Sequence, residues 1–257
     1  MVSRAISIVL FSVFLLGSAH AAHIRVLCPG ALKAPMETLI PDFERATGHI
    51  VEVVFDIINA IAGRVREGQS FDLAMESPAQ WEALAAERKI DPSVRANIAG
   101  VQWALYVKKG TPKPNIDTVD ALKQALLNAN SIAHSSVQGP IRAYQARVTE
   151  QLGLTQALEP KARYGRTPRP GEVGVTFELV MNGEAELGFG TISEILARPS
   201  LEMVSPMPSE LQSIITFVSV LPVNAQEPAA AKELVVFLSS PKARIVLRRS
   251  GLEPDEP

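Results

Sequence analysis

Apolar residues along this chain alternate between short runs rich in β-branched side chains and longer stretches with helical spacing. The short runs predict strands at residues 24–28, 50–55, 71–75, 101–107, 131–134, 185–189, 201–205 and 214–221. The helical spacing predicts helices at residues 32–47, 60–66, 78–88, 119–128, 141–152, 174–182, 228–239 and 241–249. Residues 253–257 carry no such pattern and are predicted to lack regular structure.

Repeated strand–helix units favour an α/β fold built on one mostly parallel sheet, or on two such sheets. Ligands of these sheets bind beyond the carboxyl ends of the strands, where loops lead into helices. Four loops then matter for function. They span residues 29–32, 56–60, 135–142 and 190–193.

The first 21 residues have the pattern of a signal peptide. Arg4 supplies a positive charge, residues 6–16 are apolar, and Ala19-His20-Ala21 is a small-x-small cleavage pattern. The alternative is a membrane anchor, but this apolar run is much shorter than the ~20 residues that a spanning helix needs. We predict cleavage after Ala21 and a periplasmic location.

Composition excludes several classes of function. The chain has 257 residues, a net charge of −2 and 20% charged residues, which fit one large domain or two lobes and make nucleic acid an improbable partner. Cys28 is the single cysteine, so no internal disulfide forms, and its apolar surroundings predict a buried, inert thiol. The histidines have no metal-ligand spacing, so we predict neither a metal site nor a cofactor.

Candidate ligand-binding residues lie in the loops that precede helices. A helix start offers unpaired N–H groups to an anion, hydroxyl and amide side chains can add hydrogen bonds, and arginine can pair with a carboxylate. The candidates are Gly30, Ala31, Asn59, Ala60, Ser135, Ser136, Gln138, Arg142, Arg169 and Thr191.

Several of these candidates also have a purely structural interpretation. Gly30-Ala31 can be a tight turn, Asn59 a helix N-cap, and Arg142 a solvated side chain. The arginines of residues 165–171 can belong to a solvated loop, and Ser193-Glu194 can begin a helix. Trp103 and Tyr106 are expected to pack in the core.

Five segments carry a resemblance to a known family. They are FERATG (43–48), EGQSFDLAME (67–76), GPIRAY (139–144), NGEAELGFGTISEI (182–195) and FLSSPKARIVLRRSG (237–251). Their order and spacing resemble the bacterial type II periplasmic binding proteins, in the branch of the molybdate-binding proteins. The resemblance implies two α/β lobes with the ligand between them. Lobe one would span residues 22–104 and 214–257, and lobe two residues 105–213, with crossings near 103–106 and 212–217.

This sequence departs from the molybdate binders where their serines hold the oxyanion. The first two loops read Pro29-Gly30-Ala31 and Asp56-Ile57-Ile58-Asn59, without hydroxyl groups. We therefore predict an exported, monomeric substrate-binding protein that captures a small anion, an organic carboxylate in preference to molybdate, for an ABC importer. The alternative that the resemblance leaves open is a cofactor-free isomerase of a tricarboxylate, because the same branch includes aconitate isomerase. Its base would come from His134, Asp56 or Glu194.

Overall fold

The structure is a computed structural model that describes residues 21–169 and 171–255. The predicted signal peptide, apart from Ala21, lies outside these residues. The described strands are β1 (His23–Pro29), β2 (Ile50–Asp56), β3 (Leu73–Glu76), β4 (Asn97–Lys108), β5 (Ile132–His134), β6 (Ala162–Tyr164), β7 (Leu187–Thr191), β8 (Leu201–Pro206), β9 (Ile214–Val220) and β10 (Glu253–Pro254).

Helices occupy most of the segments between the strands. They are α1 (Lys33–Thr47), α2 (Ile58–Arg66), α3 (Pro78–Ala86), α4 (Val119–Asn128), α5 (Pro140–Gln151), α6 (Thr155–Leu158), α7 (Val175–Met181), α8 (Ile192–Leu196), α9 (Pro228–Leu238) and α10 (Pro241–Arg249). A 3-10 turn, Gly30–Leu32, leads from β1 into α1. No helix in the described part of the chain is both long and apolar enough to cross a bilayer.

The strands form one mixed sheet in the order β2-β1-β3-β9-β4-β7-β5-β6. β1 runs parallel to β2 and β3, and β5 runs parallel to β6 and β7. The expectation of a mostly parallel sheet is wrong at the centre, where β4 is antiparallel to β7, β8, β9 and β10. The alternation of strand and helix patterns in the sequence predicts where strands occur. It does not predict whether a long central strand pairs parallel or antiparallel to its neighbours.

Strand β4 joins two halves of the sheet. Its residues 97–102 pair with β9, and its residues 103–107 pair with β7. The buried apolar residues divide at the same place, because two clusters use residues 22–101 and 217–252 while two others use residues 103–211. The lobe boundaries at residues 104 and 214 stay a prediction, and this division of the cores supports it.

The carboxyl-terminal tail corrects another expectation. Glu253 and Pro254 form β10, which pairs with Gly100 and Ala99 of β4. This pairing comes from a strand more than 150 residues earlier, so the tail's own sequence does not reveal it. Cys28, by contrast, is fully buried in β1 as predicted, and burial raises the pKa of its thiol.

Candidate functional site

A cavity of about 100 Å³ opens where the ends of several strands meet. It brings together parts of all four loops that the sequence singles out. One wall comes from residues 29–31 and 56–58, and the opposite wall from residues 135–137, 139–141, 166, 168 and 172–176 together with Thr191 and Glu194. Trp103, Ile215 and Phe217 lie between the walls. Apolar side chains form most of the lining, which suits a ligand with a carbon skeleton.

The first wall presents two helix starts. The turn at Gly30 leads into α1, and α2 begins after Ile57; neither start has a side-chain cap. The amide groups of a first helical turn have no intrahelical partner and favour an anion. Gly30 also packs closely against the opposite wall, because a Cβ at this position would lie 2.9 Å from Cβ of Val173.

Two candidates of this wall are not brought to the cavity. Asn59 and Ala60 are exposed on α2 and do not line the cavity, whereas Ile57 and Ile58 do. The cause is the start of α2 at Ile58, which turns the next two side chains away from the wall. A role of Asn59 or Ala60 in binding stays a prediction, and only Gly30 and Ala31 of this half lie where we expected them.

Asp56 lines the cavity, but its charge is compensated. Its Oδ2 accepts a hydrogen bond of 3.0 Å from Nη1 of Arg64, and its Oδ1 accepts one of 2.8 Å from the Ile57 amide. The carboxyl side chain is only 13% exposed. An anionic ligand therefore faces an ion pair here rather than a bare carboxylate.

The second wall begins with the loop after β5. Ser135 and Ser136 line the cavity, and α5 starts after Gly139 without a side-chain cap. Both hydroxyls are engaged within the protein: Ser135 Oγ donates to the Val137 carbonyl, and Ser136 Oγ donates to the Arg166 carbonyl, each at 3.0 Å. The hydroxyls thus shape this wall, and a ligand would meet the amide groups at the start of α5.

Gln138 and Arg142 of the same loop do not line the cavity. Gln138 is exposed. Arg142 turns back along the loop, because its Nη1 lies 3.5 Å from the Ser135 carbonyl and its guanidinium lies 6.0 Å from the centre of the Tyr164 ring. Contact of either side chain with a ligand remains a prediction.

The loop after β6 closes this side of the cavity with an ion-pair network. Arg166 donates from Nη1 and Nη2 to the two carboxylate oxygens of Glu172, and Nη2 also approaches Glu178. These bonds, with one from the Arg169 amide, lower the pKa of Glu172 to about 2. The guanidinium of Arg166 is therefore neutralised by the protein itself. The Arg169 side chain is exposed and does not line this cavity.

Thr191 and Glu194 form the last part of the wall, at the end of β7 and in α8. Thr191 is buried, and its Oγ1 donates a hydrogen bond of 2.8 Å to Oε2 of Glu194. Burial raises the pKa of Glu194, and this effect exceeds the opposing effects of Arg198 and Thr191. Glu194 is absent from our set of expected ligand-binding residues, although the sequence marks it as one of three candidate bases.

Those three candidates differ in their surroundings. His134 does not line the cavity, and burial lowers its pKa. Asp56 is held in its ion pair with Arg64. Glu194 lines the cavity, and its carboxyl takes part in none of the ion pairs among the described residues. Residues 21–169 and 171–255 also hold no cluster of metal-binding side chains.

A model of the bacterial extracellular solute-binding protein family matches residues 24–253. The chain belongs to this family. Among curated proteins, it is 28% identical over 254 residues to the aconitate isomerase of a Pseudomonas species. The alignment covers 96% of this chain and 94% of the isomerase. It is also 28% identical over 244 residues to the molybdate-binding protein ModA of Azotobacter vinelandii, with 91% of each chain covered.

Solved structures show the same fold for this solute-binding protein. The periplasmic molybdate-binding protein of Azotobacter vinelandii superposes with a TM-score of 0.75 at 19% identity, covering 91% of this chain and all of the other. The predicted α/β fold of the periplasmic binding proteins, in the molybdate-binding branch, is thereby confirmed.

Proposed function

We propose that this protein captures a small organic carboxylate in the cavity between its two walls. The observation that carries this proposal is the pairing of three uncapped helix starts with a mostly apolar lining. The helix starts, at Gly30, Ile58 and Pro140, favour a negative group. The apolar side chains favour carbon atoms between the charged groups.

Molybdate fits this cavity less well than a carboxylate. An oxyanion needs hydrogen-bond donors on every side, and here the hydroxyls of Ser135, Ser136 and Thr191 already donate to groups of the protein. Arg64 and Arg166 are paired with Asp56 and Glu172. A carboxylate at the helix starts, with its carbon skeleton against Trp103 and Phe217, leaves these pairs intact.

Membership of this family supports a role in transport. Extracellular solute-binding proteins of bacteria hand their ligand to an ABC importer, and we propose the same route, from the periplasm and as a monomer, for this protein. A thermal-shift panel of molybdate, tungstate, citrate, cis-aconitate and trans-aconitate tests the ligand class. A ligand at 100 times its Kd adds about 2.7 kcal/mol to the free energy of unfolding. Stabilisation by the oxyanions alone would overturn the proposal.

The second candidate function is isomerisation of a tricarboxylate. It is favoured by Glu194, a cavity carboxyl outside the ion pairs of the described residues, whose pKa burial raises, since a carboxyl with a raised pKa can serve as a general acid or base. The relative named aconitate isomerase supports the same substrate class. Proton NMR of cis-aconitate incubated with the protein would reveal trans-aconitate if this function holds. If the protein binds cis-aconitate without converting it to trans-aconitate, the isomerase function fails and ligand capture remains.

A further inference from the structure

Among the residues that the structure describes, three carboxyl groups line the cavity, and their partners differ. Asp56 is paired with Arg64, and Glu172 is paired with Arg166. The Glu194 carboxyl, in contrast, has the hydroxyl of Thr191 as its side-chain partner. Among the described residues, it is the one cavity carboxyl without an ion-pair partner, so its ionisation beside a bound anion would meet the least compensated repulsion.

The position of Glu194 places this carboxyl beside the proposed anion site. A Cβ at Gly30 would lie 3.3 Å from Oε1 of Glu194, so this oxygen faces the start of the turn that leads into α1. The other oxygen, Oε2, is held by Thr191 on the far side. An anion bound at the Gly30 turn would therefore approach Oε1 rather than Oε2.

From this geometry we infer that Glu194 recognises the ligand by sharing a proton with one of its carboxylate groups. In the complex a single proton, taken from solvent when Glu194 is ionised in the free protein, lies between Oε1 of Glu194 and a ligand oxygen, and no carbon–oxygen bond forms or breaks. Two carboxyl groups in contact keep one proton because both cannot ionise. The inference rests on the proposed function, since it requires a carboxylate in the cavity.

The charge of Arg198 offsets the effect of burial on the Glu194 carboxyl only in part, and it forms no ion pair with that carboxyl among the described residues. Arg198 donates to the backbone carbonyl of Glu194 and stacks on the ring of Phe177, 4.2 Å from its centre. Tyr106 is fully buried nearby, and burial raises the pKa of its hydroxyl. Charged groups on the neighbouring elements and walls include four ion pairs: Lys33 with Glu37, Lys113 with Glu202, Arg64 with Asp56, and Arg166 with Glu172.

In the free protein, burial already favours the protonated form of Glu194. It raises the pKa of Glu194, so the carboxyl holds its proton at higher pH than an exposed glutamate. A bound carboxylate raises this pKa further. At a pH above the pKa of Glu194 in the free protein, ligand binding must then take up protons, up to one for each ligand, and the affinity must fall as pH rises, by about tenfold per pH unit where uptake is complete.

Titration calorimetry of cis-aconitate at several pH values, each in two buffers with different ionisation enthalpies, measures this uptake directly. We expect the wild-type protein to take up protons on binding. Glu194→Gln, whose amide can donate to the ligand without a proton exchange, should bind with no uptake and with an affinity independent of pH. Glu150→Gln, an exposed carboxyl on α5, is the matched control and should behave as wild type.

The outcomes separate this inference from the proposed function. Binding by the wild-type protein without proton uptake at every pH would overturn the role of Glu194 and leave carboxylate capture standing. Undiminished uptake in Glu194→Gln would also overturn it, because another group would hold the proton. If neither wild type nor Glu194→Gln binds cis-aconitate, citrate or trans-aconitate, the proposed function itself fails.

Discussion

The Ser136 hydroxyl donates a hydrogen bond of 3.0 Å to the backbone carbonyl of Arg166, which lies 30 positions later in the chain. This bond ties the loop before α5 to the loop that follows β6, and both loops line the cavity. The second loop is held further by the bonds between Arg166 and Glu172. The wall of the cavity is thus fixed by the protein before any ligand arrives.

Removal of this bond should weaken ligand binding without unfolding the protein. In Ser136→Ala the Arg166 loop loses one neutral hydrogen bond, worth about 0.5–1.5 kcal/mol, so affinity for the carboxylate should fall about 2- to 13-fold. Calorimetry measures the change, and circular dichroism checks the fold. Ser200→Ala, at an exposed position outside the cavity, is the control. Equal losses in both variants would contradict the role of the Ser136 bond.

Loss of the Arg64 charge should hinder an anionic ligand. Arg64→Met leaves the Asp56 carboxylate beside the cavity without its ion-pair partner. Because like charges repel, we expect the affinity to fall by about tenfold or more, and added salt to reduce the difference. Arg45→Met, which removes an arginine from the exposed pair with Asp42 in α1, should leave affinity unchanged. An unchanged Kd in Arg64→Met would show that Asp56 does not face the ligand.

Most of the fold could be predicted from the sequence because long elements leave a periodic pattern. The helix predicted at residues 119–128 matches α4, and the strand predicted at 214–221 matches β9 within one residue. β6 and α6 have three and four residues, too few to show a period. β10 depends on its pairing with β4, which no local pattern encodes.

The candidate site could be predicted only at the level of its loops. Strand ends and helix starts can be located from local sequence, so Gly30, Ala31, Ser135, Ser136 and Thr191 do line the cavity. Which side chain points inward depends on helix phase and on long-range partners. The pairing of Arg166 with Glu172 and the position of Glu194 near Gly30 are such tertiary effects, and the sequence alone does not indicate them.

Glu76 should make the stability of the protein depend on pH. It is fully buried at the end of β3, and burial raises the pKa of its carboxyl from 4.5 to about 8. The folded state then binds more protons than the unfolded state, so the free energy of unfolding falls as pH rises between these two values. The loss amounts to a few kcal/mol, on the order expected for such a shift.

Urea unfolding across this pH range tests the role of Glu76. Glu76→Gln keeps the size of the side chain without its ionisation, so its stability should vary less with pH than that of the wild type. Glu52→Gln, an exposed carboxyl in β2, should retain the wild-type dependence. The same slope in wild type and Glu76→Gln would show that another group titrates.

The predicted mature N-terminus lies at a buried position. Ala22 is 5% exposed, and its backbone nitrogen donates a hydrogen bond of 3.1 Å to Nδ1 of His49, whose Nε2 lies 3.3 Å from Oε2 of Glu233. We expect His49→Ala to lower the free energy of unfolding by about 1–3 kcal/mol, since it leaves the Ala22 nitrogen without its partner. Glu233→Ala, at a side chain 60% exposed, should cost less than about 1 kcal/mol.

Intact mass of the protein recovered from the periplasm tests the cleavage site itself. A mass that begins at Ala22 is expected. A mass that still includes Met1, found on membrane-bound material, would contradict both the cleavage site and the export of a free protein.

Competition calorimetry tests most directly the claim that the cavity prefers a small organic carboxylate to an oxyanion. The protein is titrated with cis-aconitate alone, with molybdate alone, and with cis-aconitate in the presence of excess molybdate. We predict tight binding of cis-aconitate, weak or undetectable binding of molybdate, and no effect of molybdate on the cis-aconitate titration. Submicromolar binding of molybdate that displaces cis-aconitate would contradict the claim.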